Sequence, residues 1–140
     1  MQHPIKLISS ILMLFLLISS SLVISLPFVY GAGGTVISNA VELTTGKTSE
    51  TWTSGTDYYK INLIAGQTLS LNVDLISGTD INLYLLDPDS TDSVEVELAS
   101  SVNGDGIDEN IQFTASKSGY YIVKLTGNKW SGLGTYDLNV

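Results

Sequence analysis

Apolar residues alternate with polar residues along several short stretches of this chain, and no other feature restricts its fold so strongly. The clearest alternation covers residues 59–63 and 69–75, with an Ala-Gly-Gln turn at 65–67 between them. Such period-two patterning is typical of half-buried antiparallel strands, because successive side chains point to opposite faces of a sheet. Residues 33–140 have no sustained 3.6-residue apolar period, so the sequence predicts an all-β domain without a substantial helix.

Further alternating stretches follow, separated by turn-forming residues. They cover residues 81–85, 94–98, 111–113, 121–125 and 136–140. About eight or nine short strands, with a turn every ten residues or so, are the pattern of a β-sandwich or jelly roll. Trp52 is expected to cover an edge of the core. We expect the centre of the core to consist of Leu71, Val73, Leu83, Phe113, Val123 and Leu138.

The first 31 residues have the pattern of an export signal. A lysine and a histidine precede an apolar run from Leu7 to Tyr30, and Pro27 and Gly31 supply the break and the small residue that a signal peptidase requires. Cleavage is expected after Gly31, which leaves residues 32–140 as a single domain. The apolar run is also long enough to span a bilayer, so an uncleaved membrane anchor is the alternative, and only then would the membrane be a partner. Both interpretations predict a secreted or cell-surface protein.

The composition excludes several classes of function. The chain has 14 acidic residues and six lysines, and its formal net charge is −8 at pH 7. Nucleic acids bind to basic surfaces, so nucleic acid is not an expected partner. The only histidine is His3 and cysteine is absent. Residues 32–140 can therefore build neither a Ser-His-Asp triad nor a thiol nucleophile, and we predict no catalytic residues and no enzymatic activity.

The stretch VNGDGIDEN, residues 102–110, has the composition of a calcium-binding loop. An EF-hand alignment on Gly106 places Ser101 first and Gln112 twelfth, so both anchoring ligands of that motif are missing. Asn, Asp and Gly are also the residues that turns prefer. Two interpretations stay open: an ordinary turn between the strands at 94–98 and 111–113, or a Ca²⁺ site. The candidate ligands for such a site are Asp105, Asp108, Glu109, Asp87 and Asp89.

Three aromatic residues are the candidate ligand contacts: Trp130, Tyr84 and Tyr120. Trp130 lies in the loop NKWSGLG, where an exposed ring would stack on a sugar or hold a peptide. Tyr84 and Tyr120, together with Tyr58, fall on the face opposite the apolar rows. Aromatic residues are enriched in strands in general, so cross-strand packing is the alternative for these three tyrosines.

The order of several short motifs resembles a known family. DYY at 57–59, AGQ at 65–67, the strand at 80–87, SGYY at 118–121 and GTY at 134–136 follow one another as in the bacterial and archaeal pre-peptidase C-terminal (PPC) domain. The resemblance implies an antiparallel β-sandwich of jelly-roll type that is not itself catalytic. Some members bind extracellular polymers such as collagen, and some carry calcium in acidic loops. We expect a free-standing copy behind a signal peptide, since no peptidase precedes the domain.

These observations predict a secreted or cell-surface, non-catalytic binding or accessory module. Its expected partner is an extracellular protein or polysaccharide, and calcium is the one cofactor that the sequence leaves open. The alternative is a structural subunit of a surface filament or surface layer, in which an edge strand accepts a strand from a neighbouring subunit. Residues 33–49 would then be the donated segment.

Overall fold

The computed structural model describes residues 33–52, 55–77, 80–127 and 134–140. These residues contain a short 3₁₀ helix, Ile37–Asn39, and nine β-strands, which confirms the prediction of an all-β fold. The strands are β1 Val41–Glu42, β2 Lys47–Trp52, β3 Thr56–Leu63, β4 Thr68–Ser77, β5 Ile81–Leu86, β6 Glu97–Ser101, β7 Glu109–Thr114, β8 Gly119–Gly127 and β9 Gly134–Asn139. Within this part of the chain, no helix has the length and apolar character needed to cross a membrane. The apolar run before residue 31 and Trp130 lie outside the described residues.

The nine strands form two sheets. The five-stranded sheet has the order β1-β3-β8-β5-β6, and the four-stranded sheet has the order β2-β9-β4-β7. Neighbouring strands in the described residues are antiparallel, except that β1 runs parallel to β3. The inner faces of the sheets enclose one apolar core, as the predicted β-sandwich requires.

The core follows the alternation of the sequence. Five of the six residues that we expected at its centre have no exposed surface, namely Leu71, Val73, Leu83, Val123 and Leu138. The expectation for Phe113 is corrected, because this residue is only partly buried. It lies on β7, an edge strand, and its ring packs against Tyr121 with 5.6 Å between ring centroids. Trp52 is buried at the other edge of the same sheet.

The strand predicted at residues 94–98 is displaced. β6 begins at Glu97, and the apolar side chains of this stretch are exposed, by 59% for Val94 and 44% for Val96. A register shift between Leu85 and Leu86 places a β-bulge at this point, because an edge strand has no second neighbour to hold a regular ladder. The alternation here therefore does not reflect a buried face.

The stretch VNGDGIDEN connects the two sheets. β6 is the last strand of the five-stranded sheet, whereas β7 is the last strand of the four-stranded sheet. The stretch is a connection that contains a turn between two strands, but these strands do not form a hairpin, because the chain crosses from one sheet to the other. Gly106 has a φ of 74°, a backbone conformation that favours glycine, in the turn of this connection.

The first described residues are paired within their own chain. Gly34 and Tyr58 exchange two backbone hydrogen bonds of 2.8 Å, β1 pairs with β3, and β2 pairs with β9 along its whole length. The segment at 33–49, which the filament hypothesis treats as a donated strand, is thus part of both sheets of this domain.

Truncating the core should destabilise the protein far more than truncating the outer face of the same strand. We expect Leu71→Ala to lower the free energy of unfolding by about 2 to 5 kcal/mol, because it leaves a cavity between the sheets. Ser70→Ala is the matched control, since Ser70 is the exposed neighbour on β4 and should change stability by less than about 0.5 kcal/mol. Urea unfolding measures both values, and equal effects would contradict the assignment of the faces.

Candidate functional site

A cross-strand row of side chains occupies the outer face of the five-stranded sheet. Lys124 of β8 lies opposite Tyr58 of β3 on one side and opposite Tyr84 of β5 on the other. It points outward because its neighbours in β8, Val123 and Leu125, are buried in the core. The Lys124 Nζ atom lies 5.9 Å from the ring centroid of Tyr58 and 5.7 Å from that of Tyr84. The ammonium thus interacts with both rings.

The carboxylate of Glu95 completes this arrangement. It accepts a hydrogen bond from Tyr58 Oη at 2.6 Å and another from Lys124 Nζ, with which it forms an ion pair. Burial acts to raise the pKa of Glu95, but the hydrogen bonds from Lys124 and Tyr58 outweigh it and lower the pKa below its usual value. Burial and the bond to Glu95 raise the pKa of Tyr58 to about 12. At neutral pH Glu95 is therefore ionised and Tyr58 is neutral.

A depression of about 250 Å³ opens beside the row. It offers an aromatic ring, an ammonium, two carboxylates and a hydroxyl to one bound group. This volume is slightly below that of pockets for drug-sized molecules, the smallest of which measure about 300 Å³. It suits a small unit with both an apolar face and hydroxyl groups. The lining residues are Tyr84, Leu86, Glu95, Glu97, Lys124 and Thr126.

The segment between β5 and β6 is fixed beside this face by hydrogen bonds. Asp92 Oδ1 accepts a bond of 2.9 Å from the Ser38 backbone N–H in the 3₁₀ helix, and the Asp87 backbone N–H donates to the Val96 carbonyl at 2.8 Å. The first bond attaches the segment to the 3₁₀ helix, the second closes the segment on itself, and the contacts of Glu95 attach it to β3 and β8. One wall of the depression, Glu95 and Glu97, thus comes from the end of this segment and the first residue of β6, within the stretch that the alternation predicted as a strand.

Tyr120 lies on the same outer face but outside the row. The Lys60 Nζ atom is 5.4 Å from its ring centroid, and its hydroxyl donates to Glu42 Oε1 at 3.3 Å. Tyr120 is four residues along β8 from Lys124, so the structure does not join Tyr84 and Tyr120 in one site. Tyr84 contacts Lys124 and Tyr120 contacts Lys60 on neighbouring strands, so part of each ring is engaged in cross-strand packing, as the alternative interpretation states. Trp130 lies outside the described residues, and its role as a ligand contact stays a prediction.

The five acidic residues predicted as metal ligands fall into two separate groups. Asp87 and Asp89 follow β5, and both carboxylates bind Lys117 Nζ, at 2.7 and 2.6 Å. The hydrogen bond from Lys117 lowers the pKa of Asp87. β6 runs antiparallel to β5, so the chain that leaves β6 moves away from Asp87. Asp105, Asp108 and Glu109 therefore lie toward the opposite end of the sandwich.

Glu109 is a buried hydrogen-bond acceptor that joins the two sheets. Its side chain has no exposed surface, and its carboxylate accepts bonds from the Asn103 backbone N–H at 2.7 Å, from Asn103 Nδ2 at 3.0 Å and from Ser101 Oγ. Asp108 Oδ1 accepts a bond of 2.9 Å from the Leu75 backbone N–H. These oxygens are thus used by the protein itself.

The donor set of this connection does not fit a calcium site. Calcium takes six to eight oxygen ligands, whereas the carboxylates of Asp108 and Glu109 already accept hydrogen bonds from the protein, and Asp105 is exposed to solvent. In residues 33–52, 55–77, 80–127 and 134–140, no group of three or more acidic, histidine or cysteine side chains is placed to hold a metal ion. Calcium binding by this protein stays an untested prediction.

Removal of the Glu109 carboxylate should destabilise the fold whether or not calcium is present. Glu109→Ala leaves buried donors without an acceptor, which costs about 1 to 3 kcal/mol and lowers the melting temperature by several degrees. The difference in melting temperature between Glu109→Ala and the unmodified protein should be the same in millimolar calcium and in chelator. A rise in melting temperature that requires calcium and is lost in Asp105→Asn would contradict a purely structural role for this connection.

A second group of polar side chains lies between the sheets, and the sequence analysis did not identify it. Tyr59 Oη and Tyr136 Oη share a hydrogen bond of 2.8 Å, and Tyr136 Oη also donates to Asp57 Oδ2 at 3.3 Å. Glu50 lies opposite Tyr136 in the neighbouring strand and is only 5% exposed. A usable signal was present, because Asp57 shares the alternation of the buried Tyr59, and Glu50 shares that of Trp52.

The carboxyl groups of this cluster are hard to ionise. Burial, together with the negative charge of Asp57, raises the pKa of Glu50 from 4.5 to about 7. Burial also raises the pKa of Asp57, although the hydrogen bond from Tyr136 acts in the opposite direction. The folded protein therefore keeps a proton on Glu50 at pH values where the unfolded chain has released it.

Replacing Glu50 with glutamine should change the pH dependence of stability. As the pH rises from about 4.5 to about 7, the folded protein loses stability, because ionised Glu50 is unfavourable in the folded state and not in the unfolded state. Glu50→Gln removes this loss and should be more stable than the unmodified protein above pH 7, by on the order of 2 kcal/mol. Urea unfolding between pH 4 and pH 8 measures the difference, which should shrink toward pH 4. A difference independent of pH would refute the raised pKa.

Comparison with known proteins identifies a family and a shared fold. Residues 55–127 match the bacterial pre-peptidase C-terminal domain, a range that contains the whole outer-face row and the depression. The solved pre-peptidase C-terminal domain of the collagenase from Bacillus anthracis has 20% sequence identity and a TM-score of 0.55, over 71% of this chain and 91% of that one. PliG from Aeromonas hydrophila, a periplasmic inhibitor of g-type lysozyme, has 17% identity and a TM-score of 0.51, over 70% of this chain and 90% of that one. No curated protein matches the chain.

Proposed function

Because the chain belongs to the bacterial pre-peptidase C-terminal domain family, we propose that it is an exported, non-catalytic binding module that holds an extracellular polysaccharide on the outer face of its five-stranded sheet. Family membership supports the exported, non-catalytic part of this proposal, since domains of this family accompany secreted enzymes such as collagenase. The apolar run from Leu7 to Tyr30 also supports export.

The observation that carries the proposal is the row of Tyr58, Lys124 and Tyr84 beside the depression. Tyr58 and Tyr84 lie two strand spacings apart, which is about 10 Å, so a polymer that crosses the strands meets both rings. A sugar ring has an apolar face that packs on an aromatic side chain, and its hydroxyl groups bond to the carboxylates, the ammonium and the hydroxyl that line the depression. This mixture of stacking and hydrogen bonding suits a carbohydrate better than a purely apolar ligand.

The state of the acidic groups supports binding without catalysis. Glu95 has a lowered pKa and is held by Lys124 and Tyr58, which makes it a fixed hydrogen-bond acceptor and a poor general acid. The sequence has no cysteine, and its one histidine is His3. A nucleophile with an adjacent imidazole base is thus not available to residues 32–140.

Substitution of Tyr84 tests the proposal. We expect the unmodified protein to be retained by insoluble polysaccharides such as cellulose, chitin or peptidoglycan, and Tyr84→Ala to bind about fivefold to tenfold more weakly, because a central contact residue contributes about 1 kcal/mol or more. The measurement is a depletion isotherm on each polymer, with immobilised collagen as a polypeptide comparison.

Ile64→Ala is the control for this experiment. Ile64 is 69% exposed and lies in the turn after β3, away from the depression, so its removal should leave both binding and melting temperature unchanged. Tyr84→Ala should also remain folded, with a modest fall in melting temperature, because Tyr84 is on the outer face and its ring no longer contacts Lys124. Retention on collagen alone would assign the face to a polypeptide, and equal binding by both variants would refute the proposed site.

A further inference from the structure

The negative charge of the chain is concentrated in one segment. Residues 87–109 contain no lysine, arginine or histidine. They hold eight of the 14 acidic residues: Asp87, Asp89, Asp92, Glu95, Glu97, Asp105, Asp108 and Glu109. Most of these carboxylates have partners inside the molecule, as described above. The side chains of Glu97 and Asp105, in contrast, make no hydrogen bond or ion pair with the rest of the described chain, so their charge is presented to the solvent.

Exposed apolar side chains alternate with the acids in the same segment. Val94, Val96 and Leu98 are 59%, 44% and 37% exposed, and they flank Glu95 and Glu97. Clustered apolar side chains of this kind on a soluble domain mark contact surfaces more often than isolated ones do. We refer to residues 94–101, which contain this run and strand β6, as the acidic edge.

The acidic edge is an open edge of the five-stranded sheet. β6 pairs with β5 on one side, and on its other side the described residues supply no strand. Open edges present unpaired backbone groups that a further strand can join, and proteins usually protect them with lysine, proline or a bulge. Here the bulge beside Leu98 is present, but the charged side chains are acidic. They repel a second copy of the same edge and attract a basic segment.

We propose that the acidic edge binds an extended, cationic segment of a partner protein, in which lysine or arginine alternates with apolar residues. The apolar side chains of that segment cover Val94, Val96 and Leu98, and its basic side chains lie beside Glu97. Main-chain hydrogen bonds along β6 supply affinity, and the alternating side chains supply specificity, as in other cases of strand addition. This partner is distinct from the polysaccharide proposed for the outer face, and neither proposal depends on the other. Glu95 and Glu97 belong both to the acidic edge and to the lining of the depression, so the two ligands should compete.

A synthetic peptide tests the proposal directly. The probe is a capped octapeptide that alternates lysine and valine, titrated into isotope-labelled protein and followed by amide chemical shifts. We expect saturable binding with the largest shifts at residues 94–101, and at least about tenfold weaker binding at about 0.5 M salt, because the charges are screened. An octapeptide of glutamate and valine should not bind. Oligolysine of equal charge should bind at least about fivefold more weakly than the probe, since it cannot cover the apolar run.

Two charge-matched variants locate the contact. Val96→Lys places a cation in the acidic edge and should weaken binding of the lysine–valine peptide about tenfold, whereas Ile64→Lys adds the same charge at an exposed position outside the segment and should have less than about twofold effect. Both side chains are exposed, and thermal melts serve to check that each variant is folded. Equal binding by the two variants, shifts centred on β2 or β7, equal binding of oligolysine, or absence of saturable binding would each overturn the proposal. So would self-association of the protein through β6.

Discussion

The contact between the inner faces of the two sheets determines what the rest of the molecule can present. The sequence has no cysteine, so burial of apolar side chains must hold the sheets together without a disulfide. Side chains alternate along each strand, and burial of Val123 and Leu125 in β8 therefore forces Lys124 to the outside. A shift of one residue in this register would place the ammonium in the core. The position of the outer-face row is thus a consequence of the packing beneath it.

Alternation predicted the centre of the fold but not its edges. At Leu71 and Val73 the pattern was sufficient, because β4 has neighbours on both sides and one of its faces is covered along most of its length. The same pattern at Val94 and Val96 belongs to exposed side chains. A period of two records that neighbouring residues point in opposite directions. It contains no information about which element lies over each face, and that depends on contacts between distant parts of the chain.

The functional residues were only partly predictable for the same reason. Tyr84 was identified as an outward-facing aromatic residue, but its meeting with Lys124 depends on the pairing of β5 with β8, which are not consecutive. The position of the candidate metal ligands also depends on strand pairing. Composition suggested that Asp87 and Asp105 act together, whereas the antiparallel course of β5 and β6 carries them toward opposite ends of the sandwich. The burial of Glu109 was also missed. Its hydrogen-bond donors, Ser101 and Asn103, lie at and just after the end of β6, which belongs to the other sheet.

The distribution of lysines explains why one acidic chain can present two different surfaces. Each lysine in the described residues has a partner: Lys47 pairs with Asp137, Lys117 with Asp87 and Asp89, Lys124 with Glu95, and Lys60 lies over a tyrosine ring. The outer-face row therefore contains balanced charges and suits an uncharged polymer with hydroxyl groups. No such compensation reaches Glu97, at the edge of the same sheet, within the described part of the chain. Salt should therefore weaken contacts at that edge and have little effect on those of the face, because screening acts on net charge that is exposed to solvent.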